Sequence, residues 1–146
     1  MTGSETIRSL GFDFGTRQIG VASGQSITGT AAPLTILSAR DGIPDWQQIT
    51  HLIKEWQPDV LVVGLPLNMD DTEGEIAILA RKFARRLQGR FNLKTVMVDE
   101  RLTTYVIKKQ LAEEGNPSSS KRRVDADAAA LLLESWFSAP ERAQEP

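Results

Sequence analysis

The sequence has no cysteine and a single histidine. The first absence excludes disulfides and thiolate metal sites. The second excludes a multi-histidine zinc centre and makes any Ser-His-Asp triad depend on His51. That residue falls in "DWQQITHLIKEW", whose apolar spacing predicts a helix, and it reads there as a surface or half-buried side chain. No apolar run reaches the length of a membrane span, and the opening "MTGSETIRS" lacks the apolar core of a leader. The expectation is a cytoplasmic protein with no membrane partner. A dominant charge is missing too: 17 basic against 19 acidic residues give a net charge of −2 and a pI of about 5.5. The totals argue mildly against nucleic acid, but the distribution does not. Arg81, Lys82, Arg85, Arg86 and Arg90 cluster in one segment, and Lys121, Arg122 and Arg123 in another.

What is present is ordinary for a globular chain: 146 residues, 40% hydrophobic and 25% charged, enough for one domain with a real core. Patterning predicts strands over 7–14, 18–25 and 30–37, with Pro33 marking an edge or an irregular start. A helix over 44–56 follows, with Asp45 as its N-cap. The apolar run "DVLVVG" at 59–64 suits a strand buried on both faces. The loop "LPLNMDDTEG" leads to a helix over 73–89, where Ile76, Leu79, Phe83 and Leu87 form the apolar stripe. "KTVMVD" at 94–99 is a further buried strand. Helices over 103–114 and 124–137 flank the basic linker "NPSSSKRR". The order predicts a mixed α/β sheet, an antiparallel three-strand meander plus parallel strands, flanked by helices. Residues 1–138 form one domain on this reading, and 139–146 a frayed tail.

Three acids stand where a core would not want them. In "GFDFGTRQIGVA", period two places Gly11, Asp13 and Gly15 on one face and Leu10, Phe12 and Phe14 on the other. A buried unpaired carboxylate costs several kcal/mol or becomes neutral. Asp13 therefore pairs with a cation or faces a cleft, and its bare glycine face would let something large approach. Glu100 follows the carboxyl end of a buried strand, where open α/β sheets place ligands, and it shares a face with Val96 and Val98. A salt bridge to Arg101 or a helix cap is the plainer reading of Glu100. In "VDADAAALLLESW", Asp125 falls on one helix face with Ala128, Ala129, Leu132 and Trp136, and Asp127 points away. Both acids also suit a helix N-terminus. Clustered carboxylates repel unless a cation sits between them, and oxygen-only ligands select Mg²⁺ or Mn²⁺. Spacing alone does not bring the three together.

The blocks "FDFGTRQIGVA", "VVGLPLNMD-x-TEG", "DERLTT" and "KRRVDADAAALLLES" resemble, in order, those of the bacterial YqgF (RuvX) family, over residues 7–137. Its members are Holliday-junction-resolvase-like proteins, also described as nucleases for the precursor of 16S ribosomal RNA. The resemblance implies an RNase H-like fold and makes Asp13, Glu100 and Asp125 the acidic triad of a nuclease using Mg²⁺ or Mn²⁺, as two ions. Asp13 would be the central metal ligand. Arg17, Asn68, Arg81, Lys82, Arg85, Lys121, Arg122 and Arg123 are the candidate contacts to structured nucleic acid, meaning pre-rRNA or ribosomal particles. Each has a plainer reading as a solvated or ion-paired side chain. One departure is visible: Asp71 stands where the family usually has glycine, which a positive φ would tolerate at some cost. Branched DNA is the alternative substrate, and a resolvase acting on it would need a homodimer to place two cuts. A non-catalytic nucleic-acid or transcription-complex binding module is a reading of another class, against which three intact acids count. "DFGT" also resembles the phosphate loop of actin-like and sugar-kinase ATPases, but those enclose nucleotide between two related domains.

Overall fold

The computed structural model describes residues 6–101 and 126–146. The expected helix over 103–114, the basic linker and the start of the last helix lie outside the described residues. Strands β1 (Arg8–Asp13), β2 (Gln18–Gln25) and β3 (Thr30–Arg40) form the antiparallel meander. Strands β5 (Val60–Leu65) and β6 (Lys94–Asp99) continue the sheet on the other side of β1, parallel to it. A two-residue strand, β4 (Ile43–Pro44), closes the far edge, giving the order β4-β3-β2-β1-β5-β6. The sequence reading did not include β4 and ended β3 at residue 37. The tight turn at Asp41-Gly42, with φ of 52° and 80°, folds Arg40 back onto Ile43, and Asp-Gly is the residue pair that such hairpin turns favour. Opposite Pro33 the register shifts between Val21 and Ala22. The outer side of β3 is open there because β4 pairs only with Ala39 and Arg40.

Alternation along the strands divides the core in two. Leu10, Phe12, Phe14, Leu61, Val63, Leu65 and Met97 pack under helices α1 (Trp46–Trp56) and α2 (Glu75–Phe91). Val60, Val62, Val96 and Val98 face helix α3 (Ala126–Ser138) on the other side. The run at β5 is therefore buried on both faces, as its lack of alternation predicts. Phe83 of α2 anchors the first layer, with ring centroids 5.7 Å from Phe12, 5.3 Å from Phe14 and 5.9 Å from Trp46. The expected N-cap holds: Asp45 Oδ1 accepts from the Gln47 backbone N–H at 2.9 Å, and His51 is exposed on α1.

Helix α3 lies so close to the sheet that glycine is needed beneath it. A Cβ at Gly11 would stand 2.7 Å from Leu133 Cγ and 3.0 Å from the Ala129 carbonyl oxygen. A Cβ at Gly24 would meet Phe137 at 3.0 Å. Since Gly24 pairs with Ser9 at the amino end of β1, α3 runs antiparallel to β1, starting at the carboxyl end of that strand. At Gly11 the glycine face thus receives a helix of this chain rather than a ligand, which corrects the expectation of open space there.

The tail is not frayed. After a 3₁₀ turn at Pro140–Arg142, Gln144 and Met97 exchange two backbone hydrogen bonds of 2.7 and 2.8 Å. β6 is the edge of the sheet, and its unpaired backbone groups give the tail something to bond.

Candidate active site

Asp13 ends β1 and is 2% exposed. Its neighbours Phe12 and Phe14 turn toward α2, so the pleat turns Asp13 toward the α3 side. Glu100 is the first residue beyond β6. Its backbone N–H donates to the Leu65 carbonyl at 3.1 Å, which keeps the pleat running for one more residue. Glu100 therefore follows Val96 and Val98 to the same side, 6% exposed. Strand β5 lies between the two acids. Phe12 is opposite Val63, and Gly64 is opposite Val98, so Gly64 is the residue between Asp13 and Glu100. Its missing side chain is what admits Glu100: a Cβ at Gly64 would collide with Glu100 Oε2 and stand 2.9 Å from Leu132 Cδ1. Two of the three predicted acids are thus brought to one edge and one face of the sheet.

Asp125 lies outside the described residues, while Asp127 is exposed on α3, as helical spacing predicts. Ala128, Ala129, Leu132 and Trp136, the face predicted to look inward, are buried. Among the described residues no group of three histidines, cysteines or acids could hold a metal ion. The two buried carboxylates, both oxygen donors on one face of the sheet, fit a hard divalent cation as a partial ligand set. Two carboxylates buried together would otherwise repel.

The loop after β5 closes the same edge. Asn68 N–H donates to the Thr72 carbonyl at 2.9 Å, Asp71 N–H donates to the Asn68 carbonyl at 3.0 Å, and Asn68 Nδ2 bonds Thr72 Oγ1 at 3.0 Å. Asp71 has φ 69°, the left-handed geometry that glycine adopts freely. Hydrogen bonds from the Thr72 hydroxyl and N–H hold the Asp70 carboxyl below its ordinary value. Arg101 ties this loop to the end of β6. Its Nε reaches both Asp99 oxygens at 3.1 Å, its Nη1 donates to the Asn68 carbonyl at 3.0 Å, and its Nη2 lies 2.6 Å from Asp99 Oδ2 and 2.8 Å from Asp71 Oδ1. Burial pushes the Asp99 carboxyl up, but hydrogen bonds from the Arg101 side chain and backbone outweigh it and leave that carboxyl low. The Asp99 and Asp71 contacts in turn raise the Arg101 guanidinium. The sequence reading weighed Arg101 only as a partner for Glu100. The signal for its other role was the acid two residues before it.

The candidate substrate contacts are dispersed. Arg17 is exposed in the turn after Asp13, and Asn68 is exposed on the loop. Lys82 and Arg85 are exposed on α2, across the sheet from the acids. The Arg81 guanidinium is not open to solvent as expected: it bonds Glu73 at 2.8 Å, the Glu145 carbonyl at 3.0 Å and Gln144 Oε1 at 3.1 Å. The ordered tail is what takes it up. Arg90 sits over the Trp46 ring, 4.3 Å from its centroid. Lys121, Arg122 and Arg123 lie outside the described residues. No helix among the described residues is long and apolar enough to cross a membrane.

Comparison with known proteins agrees with this geometry. A protein of Marinobacter nauticus is 58% identical over 130 residues, covering 88% of this chain and 91% of its own. One from Shewanella denitrificans is 56% identical over 138 residues, covering 94% and 96%. Both carry the name "Putative pre-16S rRNA nuclease". Among solved structures, Thermus thermophilus RuvC in complex with a Holliday junction substrate superposes with a TM-score of 0.56 at 15% identity, covering 94% of this chain and 98% of that one. A fowlpox virus resolvase bound to Holliday junction DNA gives 0.51 at 14%, covering 92% and 99%. These structures share the RNase H-like fold with this chain. The sequence model of the RuvX family, described as Holliday junction resolvase, matches residues 7–139, and the chain belongs to that family.

Proposed function

We propose that this phosphodiester-cleaving nuclease is a metal-dependent endonuclease that processes the 5′ end of the 16S rRNA precursor in the cytoplasm. The observation that carries the reading is the placing of buried Asp13 and Glu100 on one face of the sheet, at the carboxyl ends of β1 and β6, with β5 between them and the Glu100 carboxylate against Gly64. The names of relatives more than half identical to this chain support the substrate. Asp13, Glu100 and Asp125 would hold Mg²⁺ or Mn²⁺. Two such ions, when bound, stabilise the attacking and leaving oxygens of a phosphodiester displacement. The chain's own contribution is placement. β1 and β6 fix the two carboxylates, Leu132 packs beside Glu100 and keeps water from that side, and Gly64 leaves the carboxylate its seat. Arg17 and Asn68, exposed at the same edge, suit contact with substrate phosphate and sugar.

Resolution of branched DNA is the second reading, favoured by the description of the matching family. It requires a symmetric dimer. Side-by-side cleavage of a 16S precursor and a four-way junction, with Mg²⁺ or EDTA, separates the two. Asp13→Asn and Glu100→Gln are each expected to lower cleavage by orders of magnitude while folding normally. Full Mg²⁺-dependent activity in either well-folded variant would remove that residue from the site.

A further inference from the structure

We propose that Arg101 is a positioning residue that fixes the 68–72 loop against the end of β6. The loop then stands as a preformed wall of the substrate cleft rather than a flap that closes on it. The proposal rests on the nuclease reading for its consequence and on geometry for its cause.

The guanidinium has five N–H donors in a rigid fork. Nε is engaged by Asp99, Nη2 by Asp99 and Asp71, and Nη1 by the Asn68 carbonyl. Four of the five directions are therefore committed to two chain segments, the end of β6 and the 68–72 loop. One segment ends at Asp99, immediately before Glu100. The other carries Asn68 and, at its tip, Met69, which is 91% exposed. A group so occupied is poorly placed to meet a phosphate itself.

Asp71 completes the clasp from the loop side. Its left-handed backbone, φ 69°, is one that glycine adopts freely and a side chain strains. The same geometry delivers its carboxylate to Arg101 at 2.8 Å. A glycine there would relieve the strain and remove the ion pair.

The test uses the full-length protein with Arg101→Lys, Asp71→Gly and the double variant. Three quantities are read: hydrogen exchange at the Asn68 and Asp71 amides, KM and kcat on the precursor, and the salt dependence of binding. Arg101→Lys keeps the charge but not the fork. Positioning predicts that it loses protection at those two amides while the β1 and β5 amides keep theirs. It also predicts that KM rises about tenfold with kcat changed much less, because a misplaced wall weakens binding more than chemistry. The two substitutions should be non-additive, since each breaks the same clasp. The proposal fails if Arg101→Lys leaves both amides protected, or if KM stays at the wild-type value despite weakened protection. It also fails if Asp71→Gly tightens binding and steepens the salt slope, because a guanidinium released in that way would be contacting phosphate directly. Absence of any cleavage by wild type would instead sink the nuclease reading, with the exchange result still deciding the clasp.

Discussion

At the scale of single residues, the site depends on a side chain that is not there. Glu100 is buried, and its carboxylate lies where a Cβ of residue 64 would be. Gly64→Ala adds one methyl group that Glu100 Oε2 and Leu132 Cδ1 must yield to. Leu132 is wholly buried and has little room to give, so the carboxylate moves. A displacement of about 1 Å at a catalytic group can cost about a hundredfold in rate. Cleavage by Gly64→Ala is therefore expected to fall about that far, while overpacking costs about 1–3 kcal/mol of stability. Thermal unfolding and initial rates on the same preparation check both. Wild-type rates would mean that Glu100 has no fixed task. Little of this was legible beforehand. Alternation placed Asp13 and Glu100 on their faces, but their common level at the carboxyl edge, on either side of β5, depends on strand register, which no local pattern encodes. The sequence reading gave Gly11 an open face for a ligand and assigned Gly64 no such role. In the structure, Gly11 makes room for a helix and Gly64 for a carboxylate.

At the scale of elements, continuous apolar runs made β5 and β6, and helical periodicity α1 and α2, readable to within a few residues. The failures came where tertiary contact decides. Residues 139–146 have the composition of a loose end, yet two backbone hydrogen bonds join Gln144 to Met97, and Arg81 grips Gln144 and Glu145. An exposed sheet edge recruits such a segment whatever its composition. Ending the chain at Ser138 should remove these contacts and cost about 1–3 kcal/mol, from two hydrogen bonds at about 0.5–1.5 kcal/mol each. It should also promote self-association through the bared β6 edge. Urea unfolding and sedimentation velocity measure the two effects. Unchanged stability with a monomeric profile would mean that the tail rests on the edge without holding it.

At the scale of the whole molecule, the sheet separates the acids from part of the positive charge. Asp13 and Glu100 face α3, while Lys82 and Arg85 are exposed on α2, on the other side. A helix is about 10 Å across with its side chains, and the sheet adds to that. Lys82 and Arg85 therefore act on the cleft from beyond a Debye length, about 10 Å at 0.1 M salt. Only a substrate that wraps the molecule could touch both. The basic linker is different: Lys121, Arg122 and Arg123 lie within a few residues of α3, whose first turn starts at the carboxyl end of β1. On a short duplex spanning the cleavage site, replacing these three by alanine is expected to flatten the slope of log affinity against log salt. The change should be roughly one unit for each phosphate that is no longer neutralised. Lys82→Ala with Arg85→Ala should leave that slope alone. Turnover at saturating substrate should change little in either variant, because both keep Asp13, Glu100 and Asp125. Titrations at several salt concentrations decide the matter. If the α2 pair flattens the slope and the linker triple does not, the nucleic acid lies on the α2 side of the sheet, and cleavage cannot take place at Asp13 and Glu100.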